Sequence, residues 1–354
     1  MKLRKVNVNT ALPGQARARI LVIYTGGTFG MSYDRDGVLV PFDFEYILTQ
    51  LPTLKTLALD ITAFSFIDPI DSSNINIEHW QLIAGLIHEH YDTQEGFVVL
   101  HGTDTMAYTA SALSFMLEGL NKPVVFTGAQ LPISDPRSDA REHMITALEI
   151  ASDQANGVSI VPEVCIYFDY ELLRGNRSKK VESMQFDAFD SGNYPALAKA
   201  GVKIDYNFAS LRKNLNPGKV LLRTTFDTNV AILKLFPGIH LQVVRSILTV
   251  PGIKAVIIET YGAGNAPTTP WLIDELKVAI DRGVLLLNVS QCPGGRVLPG
   301  RYETSRILQQ IGVISGADMT SEAAVTKLML LIGEYGVDKT RMLIGTELAG
   351  ELSL

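Results

Sequence analysis

Short apolar runs alternate with amphipathic segments along most of this 354-residue chain. The runs are typical of strands that are buried on both faces, and they comprise residues 20–24, 97–100, 124–127, 164–168, 255–258 and 284–287. Between them, apolar side chains recur at helical spacing, as in 78–91 and 105–119. Strands that alternate with helices predict βαβ units around a mainly parallel, Rossmann-like sheet.

One stretch interrupts the alternation. Asn, Pro, Gly and basic residues are concentrated between about 205 and 225, after which the pattern resumes with a predicted strand at 230–235, a helix near 270–281 and an amphipathic segment at 321–333. The chain is also too long for one ordinary core. We therefore expect two α/β domains, and we predict an N-terminal extension over 1–19, a larger N-terminal domain over 20–207, a linker over 208–225 and a smaller C-terminal domain over 226–354.

Composition and charge favour a soluble protein over a nucleic-acid-binding, membrane or secreted one. Apolar residues make up 47% of the chain and charged residues 19%, which is typical of a compact soluble protein. The net charge of -6 argues against a nucleic-acid-binding surface, and the sequence has neither a membrane-spanning apolar stretch nor the apolar core of a secretory signal. The two cysteines, Cys165 and Cys292, are expected to be buried free thiols, which fits the cytoplasm.

Two polar motifs directly follow predicted strands. TGGT (25–28) ends in Thr28, and HGTDT (101–105) contains Thr103 and Asp104. Because the carboxyl ends of parallel strands converge where α/β proteins bind ligands, these hydroxyl and carboxylate groups indicate an enzyme. Two structural interpretations stay open, a tight turn for TGGT and a helix N-cap for the second motif. The glycine patterns of dinucleotide and P-loop sites are absent, which counts against a nicotinamide-dependent dehydrogenase.

A threonine nucleophile also needs a base. Threonine hydroxyls are weak nucleophiles, and a desolvated lysine can activate them. Lys179 and Lys180 follow the RGNR segment in a predicted loop, although most lysines are solvated surface charges. His101 is interpreted as a structural hydrogen-bonding residue, and the histidine spacing indicates no metal site. The polar segment 71–74 (DSSN) lies on the same predicted rim or forms a helix start.

Taken together, the TGGT, HGTDT and RGNR-x-x-K segments resemble the L-asparaginase family. The residues from HGTDT to SDAR, and later YGAGNAP, NVSQC and GADMTSEAAVTKL, resemble its bacterial type I, cytoplasmic branch. The resemblance extends from residue 20 to about 352. It implies the α/β fold predicted above, a cytoplasmic enzyme without a metal or organic cofactor, and self-association as a homodimer or homotetramer.

The resemblance also implies roles for individual residues. Thr28 matches the primary nucleophile, while Thr103 and Asp104 match the second threonine and the aspartate that pairs with the catalytic lysine. That lysine aligns with Lys180, and Lys179 is one residue out of register. The positions that match substrate-binding residues are Gly27, Asp71, Ser72, Ala129 and Asn265, the last one offered by a neighbouring subunit.

The family also places a tyrosine on the loop after TGGT, where it helps to activate the nucleophile. Here Tyr33 is the only tyrosine in that loop, and it comes earlier than the family position. It is the candidate for this role.

The expected reaction is hydrolysis of the side-chain amide of L-asparagine to L-aspartate and ammonia through a threonine acyl-enzyme. A glutaminase-asparaginase of broader specificity is one alternative. A tRNA-dependent amidotransferase subunit shares the motifs but is expected to carry a further N-terminal domain. A non-catalytic amino-acid sensor would keep Asp71 and Ser72 while losing a threonine or the lysine, and all of these positions are occupied here.

Overall fold

The computed structural model describes residues 2–11, 14–33, 39–41, 52–213, 219–298, 300 and 303–353. The chain divides into two compact units. The first comprises Met1–Asp190 and Pro195–Leu222, and the second comprises Ser191–Tyr194 and Arg223–Leu354. None of the helices in the described ranges is long and apolar enough to cross a membrane.

The first unit has seventeen described strands and three described α-helices. Its strands are β1 (Leu3–Asn9), β2 (Ala18–Tyr24), β3 (Met31–Tyr33), β4 (Leu39–Pro41), β5 (Leu59–Phe66), β6 (Gly96–Leu100), β7 (Leu117–Glu118), β8 (Val124–Thr127), β9 (Gln154–Ala155), β10 (Val158–Ser159), β11 (Val164–Phe168), β12 (Glu171–Arg174), β13 (Lys179–Lys180), β14 (Phe189–Asp190), β15 (Ala198–Ala200), β16 (Ile204–Tyr206) and β17 (Leu221–Leu222). Its helices are α1 (Ile77–Glu89), α2 (Met106–Met116) and α3 (Ala140–Ser152), and short 3-10 turns cover Thr28–Gly30, Pro52–Leu57, Ser72–Asn74 and Gly175–Arg177.

Nine of these strands form one sheet, in the order β1-β5-β2-β6-β8-β11-β12-β15-β16. The five strands from β5 to β11 pair in parallel, and the strands on either side pair antiparallel. Every residue of β6, β8 and β11 is buried. Strands that are covered on both faces read as continuous apolar runs, which explains why the sequence pattern identified them.

The N-terminal segment belongs to this sheet. β1 lies within the predicted extension, yet it pairs antiparallel with β5 along its whole length, from Leu3 opposite Phe66 to Asn9 opposite Asp60. The predicted linker contains β17, which pairs with β7 of the first unit. In addition, Ser191–Tyr194 belongs to the second unit, so the chain enters that unit briefly before the predicted boundary.

The second unit is a three-layer α/β structure. Its strands are β18 (Val230–Lys234), β19 (Ala255–Thr260), β20 (Leu285–Ser290) and β21 (Ile314–Ser315), and its helices are α4 (Leu241–Leu248), α5 (Pro270–Asp281), α6 (Glu303–Gln310) and α7 (Ser321–Leu343). The four strands are parallel. Leu248 of α4 and Leu276 of α5 pack on one face of the sheet, whereas Leu328 of α7 packs on the other. The predicted fold class, a larger and a smaller α/β domain, is confirmed.

The cysteine prediction is correct for only one residue. Cys165 lies on β11 and is buried, but Cys292 is exposed, and both are free thiols. Cys292 lies just after the end of β20, in a turn that the Gly295 N–H closes onto the Cys292 carbonyl at 2.8 Å. The expectation of burial for Cys292 was therefore wrong, because its apolar neighbours belong to the strand and not to the turn.

Candidate active site

Three strands of the first unit, β2, β6 and β8, end at the same level. Their register pairs Tyr24 with Leu100, and Leu100 with Thr127. The TGGT motif, the HGTDT motif and residues 128–130 (GAQ) follow these three strand ends directly. Loops after the carboxyl ends of neighbouring parallel strands converge, so the register brings the predicted motifs to one edge of the sheet.

Two glycines let the first two loops touch. Gly27 has a φ of +83°, and a methyl group added to it would lie 2.5 Å from Gly102 Cα. Thr28 follows Gly27, and Thr103 follows Gly102, with consecutive Cα atoms about 3.8 Å apart. Both threonines are half-buried. The two candidate hydroxyl groups therefore belong to residues that directly follow the contact between the two loops.

The loop after β5 packs against the same glycines. The Ile70 N–H donates to the Thr25 carbonyl at 2.8 Å, and the Thr105 hydroxyl donates to the Ser72 carbonyl at 2.7 Å. A methyl group on Gly102 would lie 2.6 Å from Ser72 Oγ, and Ser72 itself is buried. The structure thus joins the third predicted segment to the other two.

Asp71 presents an ionised carboxylate at this edge. Its Oδ1 accepts hydrogen bonds from the Ser73 backbone N–H at 2.9 Å and the Ser73 hydroxyl at 2.8 Å, so Asp71 caps the short 3-10 turn. These hydrogen bonds stabilise the charged form and hold the pKa of Asp71 below its usual range. The helix-start interpretation is therefore correct for this segment. It leaves Asp71 exposed and available to a cationic group.

Lys180 connects the HGTDT motif to the RGNR segment. Its ammonium donates to Thr103 Oγ1 at 2.8 Å and to Asp104 Oδ1 at 2.7 Å. The lysine side chain is 19% exposed and the Asp104 side chain 62%, so the pair is open to solvent on the aspartate side. These three side chains are the ones that the resemblance groups together.

The strand geometry distinguishes Lys180 from its neighbour. β13 pairs with β14 so that Lys180 lies opposite Phe189 and Lys179 opposite Asp190. Successive side chains of a strand point to opposite faces, so only one of the two lysines can face Thr103. Upstream, the buried Arg174 forms an ion pair with Glu163, which fixes the backbone that leads into β13.

The loop after β8 contains Ala129, which is buried. Its downstream residues are anchored by Asp139, whose carboxylate accepts from the N–H groups of Gln130 at 2.9 Å and Leu131 at 3.1 Å. His143, one turn later on α3, hydrogen-bonds to the same loop. Asp139 was not predicted as a supporting residue, and the sequence pattern gave His143 no partner. The available signal was their four-residue spacing on one helix face.

His101 makes hydrogen bonds, as the sequence predicted, and it is buried completely. Its Nδ1 donates to the Gly102 carbonyl at 2.7 Å, and its Nε2 lies 3.0 Å from the Thr109 hydroxyl. Burial lowers the pKa of His101 to about 4, so the ring is neutral at neutral pH.

Two predicted residues cannot be joined to this group. Tyr33 ends β3, but its side chain lies outside the described residues. Asn265 lies in the second unit, where its backbone forms a bridge with Tyr261. Within the described ranges, no group of three or more His, Cys, Asp or Glu side chains could hold a metal ion.

Two family models match the chain. "Asparaginase, N-terminal" matches residues 19–212, and "Glutaminase/Asparaginase C-terminal domain" matches residues 229–342. The chain belongs to the asparaginase family. The prediction of an asparaginase-family amidohydrolase, made from the motifs, is thereby confirmed.

Similar proteins include members of different length. L-asparaginase 1 of Escherichia coli is 41% identical over 94% of this chain and 98% of its own length. The 60 kDa lysophospholipase of Mus musculus is 40% identical over 95% of this chain, which spans 63% of the mouse protein. The crystal structure of L-asparaginase I from Vibrio cholerae matches with a TM-score of 0.86 and 39% identity, covering 96% of this chain and all of that one. This asparaginase-family chain thus matches some relatives over nearly their whole length and others over only part of it.

Proposed function

We propose that this protein hydrolyses the side-chain amide of L-asparagine to L-aspartate and ammonia. The observation that supports this most strongly is the hydrogen-bonded group of Lys180, Thr103 and Asp104. A lysine that donates to a threonine hydroxyl, and is oriented by a carboxylate, is the arrangement of base, relay and orienting group that amide hydrolysis through an acyl-enzyme needs. The similarity to L-asparaginase 1 of Escherichia coli supports the choice of substrate.

In the proposed reaction, Thr28 Oγ forms a bond to the amide carbon and gives up its proton, and Tyr33 is the candidate that helps to activate it. The carbon–nitrogen bond then breaks, and the leaving nitrogen takes a proton and departs as ammonia. Thr103, with Lys180 and Asp104, transfers that proton and then activates a water molecule. The water attacks the ester at Thr28 and releases aspartate. One water is consumed for each ammonia that leaves.

The negative charge that develops on the amide oxygen must be stabilised by hydrogen-bond donors. We assign this role to the backbone N–H groups of Thr103 and Ala129, which lie in the loops that follow β6 and β8. Loss of a single such donor typically reduces the rate by about 10²–10³-fold.

The amino-acid head group of the substrate needs a second set of contacts. Asp71 is ionised and exposed, so its carboxylate can pair with the α-ammonium group. Ser72 and Gly27 supply hydroxyl and backbone contacts for the α-carboxylate. We propose that Asn265 completes the site from a neighbouring subunit of a homodimer or homotetramer. We also propose a cytoplasmic location, which the resemblance to the type I branch supports.

The choice between asparagine and glutamine depends on one methylene group. Such a difference is worth about 1–3 kcal/mol in a binding pocket. We propose asparagine as the preferred substrate and glutamine as the weaker one.

Ammonia release from L-asparagine and L-glutamine by the purified protein, over a wide range of each substrate, tests this function. We expect a higher kcat/KM for asparagine. A preference for glutamine would preserve the mechanism and overturn the substrate. No ammonia from either amide, with the protein folded, would overturn the proposed function in favour of an amino-acid sensor.

A further inference from the structure

Two buried histidines of the first unit bind glycine carbonyls at the candidate site. His101 Nδ1 lies 2.7 Å from the Gly102 oxygen, and His143 Nδ1 lies 2.8 Å from the Gly128 oxygen. A carbonyl oxygen can only accept a hydrogen bond, so in both rings Nδ1 carries the proton. Each glycine directly precedes a residue whose backbone N–H is assigned above to the developing oxyanion.

The other ring nitrogen of His101, Nε2, has a hydrogen-bond partner on helix α2. The Trp80 indole N–H donates to Thr109 Oγ1 at 3.1 Å, and that hydroxyl lies 3.0 Å from His101 Nε2. Because the hydroxyl accepts from the indole, its own proton is available to donate to Nε2. This chain of hydrogen bonds selects the neutral ring with the proton on Nδ1.

His143 is held in the same state by a different partner. The Asp169 backbone N–H donates to His143 Nε2 at 3.1 Å, so this nitrogen carries no proton. The carboxylates of Asp139 and Glu142 approach the ring only to 3.6 and 3.8 Å, and Asp139 is already engaged by the loop that follows Ala129. The ring is 2% exposed and packs against Phe168.

A peptide unit is planar, with its carbonyl and N–H pointing in opposite directions. A hydrogen bond that fixes the Gly102 carbonyl therefore fixes the direction of the Thr103 N–H. In the same way, the bond to the Gly128 carbonyl fixes the direction of the Ala129 N–H. Hydrogen bonding at the oxygen also polarises the peptide and strengthens the N–H as a donor.

We infer that His101 and His143 are a pair of positioning residues, each of which orients one backbone donor toward the oxyanion of amide hydrolysis. This inference rests on the proposed function. Neither histidine needs to change its protonation state, because both nitrogens of each ring are occupied throughout. The two rings act on separate peptide units, so the loss of either one misdirects a single donor.

Substitution of each histidine by asparagine or glutamine distinguishes this positioning role from a role in packing alone. Asparagine places its N–H₂ group close to the position of histidine Nδ1, whereas glutamine places its amide near Nε2. We therefore expect His101→Gln and His143→Gln to lower kcat for L-asparagine by about 10- to 100-fold with little change in KM, since the donors act in the transition state. His101→Asn and His143→Asn should keep kcat within about threefold of the wild type.

His79 supplies the matched control. It is also a nearly buried histidine with a side-chain bond to the backbone, but its Nδ1 accepts from the Asn76 N–H at the start of α1. His79→Gln should change the unfolding midpoint without changing kcat. If His101→Gln does not fold, Thr109→Val tests the same ring, because loss of the hydroxyl frees Nε2 to take the proton, and kcat should again fall.

The outcomes distinguish this inference from the proposed function. Wild-type protein that releases no ammonia from asparagine would reject both. An active wild type with wild-type kcat in the Gln variants would reject only the positioning role. A purely structural role would lower the unfolding midpoints of the Gln and Asn variants alike, with no difference in kcat between them.

Discussion

The two adjacent lysines of β13 differ only in the side of the strand on which they lie. Lys180 donates to Thr103 and Asp104, while Lys179 lies opposite Asp190 in the strand pair. General acid–base groups contribute about 10²–10⁴-fold to a rate. Lys180→Met should therefore reduce kcat for asparagine by at least about 10²-fold, and Lys179→Met should leave it nearly unchanged. Steady-state ammonia release from both variants checks this, and equal losses would refute the assignment.

The carboxylate of Asp71 is expected to act in binding. Its pKa is held low by hydrogen bonds from Ser73, so the group is charged at neutral pH. Asp71→Asn keeps the hydrogen-bonding shape and removes the charge, and we expect KM for asparagine to rise by about 10-fold or more with a smaller effect on kcat. Lowering the pH through the pKa of Asp71 should raise the wild-type KM in the same direction, whereas KM of the variant should not respond to that titration. A large loss of kcat at constant KM would contradict the binding role.

At the scale of elements, the site depends on the close approach of loops. A methyl group on Gly27 would lie 2.5 Å from Gly102 Cα, and its φ of +83° disfavours any side chain. Gly27→Ala should therefore displace the loop that carries Thr28 and lower kcat/KM by about 10²-fold. Gly85, within α1, has no atom within 4 Å of an added methyl group. Gly85→Ala should raise stability by about 0.5–1 kcal/mol without changing activity. Wild-type activity of Gly27→Ala would show that the loops tolerate separation.

The buried ring of His101 makes the first unit sensitive to acid. Burial lowers its pKa from 6.5 to about 4, so between these values the unfolded chain binds a proton that the folded unit does not. The free energy of unfolding is therefore unaffected by this ring above about pH 6.5. It falls by roughly 3 kcal/mol as the pH is lowered from about 6.5 to about 4. Urea unfolding of the wild type and His101→Asn at pH 7 and pH 4.5 measures the difference. Equal pH dependence in the two proteins would contradict it.

The elements that the sequence predicted best are those buried on both faces. The run 124–127 matches β8, and 164–168 matches β11. β1 was missed because only every second or third of its residues is partly covered, which is typical of a strand at the edge of a sheet. The amphipathic segment predicted over 321–333 lies within α7, which extends to Leu343 across a break at the non-helical residue Gly336. Register, which brings the loops together, depends on pairing between strands that are far apart in the sequence.

The candidate site shows the same division. Thr28 and Thr103 lie within recognisable motifs and Lys180 follows one, so the sequence could identify all three as candidates. The anchors of the loops, Asp139 and His143, could not, because an acid and a histidine on an amphipathic helix are common and their partners are backbone groups. Their function follows only from the position of the helix beside the loop after β8.

At the scale of the whole molecule, the second unit encloses an ion pair that holds the C-terminal segment. Lys327 of α7 and Glu351 are 2.5 Å apart with no exposed side-chain surface. Lys327 also donates to the Ile344 and Thr346 carbonyls at 2.9 and 2.6 Å, and Glu351 accepts from the Ala349 N–H at 2.7 Å. The pair therefore joins the last residues to the core of this unit.

Removal of one member of a buried pair leaves an uncompensated charge. Lys327→Met should destabilise the second unit by about 3–5 kcal/mol, and the double variant Lys327→Met/Glu351→Leu should recover part of this loss. Lys339→Met on the exposed end of the same helix is the control and should cost less than about 1 kcal/mol. Denaturant unfolding measures all three. A small effect of Lys327→Met would show that the C-terminal segment is held by other contacts.

Ammonia release from L-asparagine by the wild type, Thr28→Ala and Thr103→Val, with the unfolding midpoints of all three proteins compared, tests the central claim most directly. The claim is that the touching loops after β2 and β6 form the catalytic centre. It predicts turnover by the wild type and a loss of about 10³-fold or more in each folded variant. Wild-type turnover in either variant would remove that threonine from the mechanism and contradict the claim.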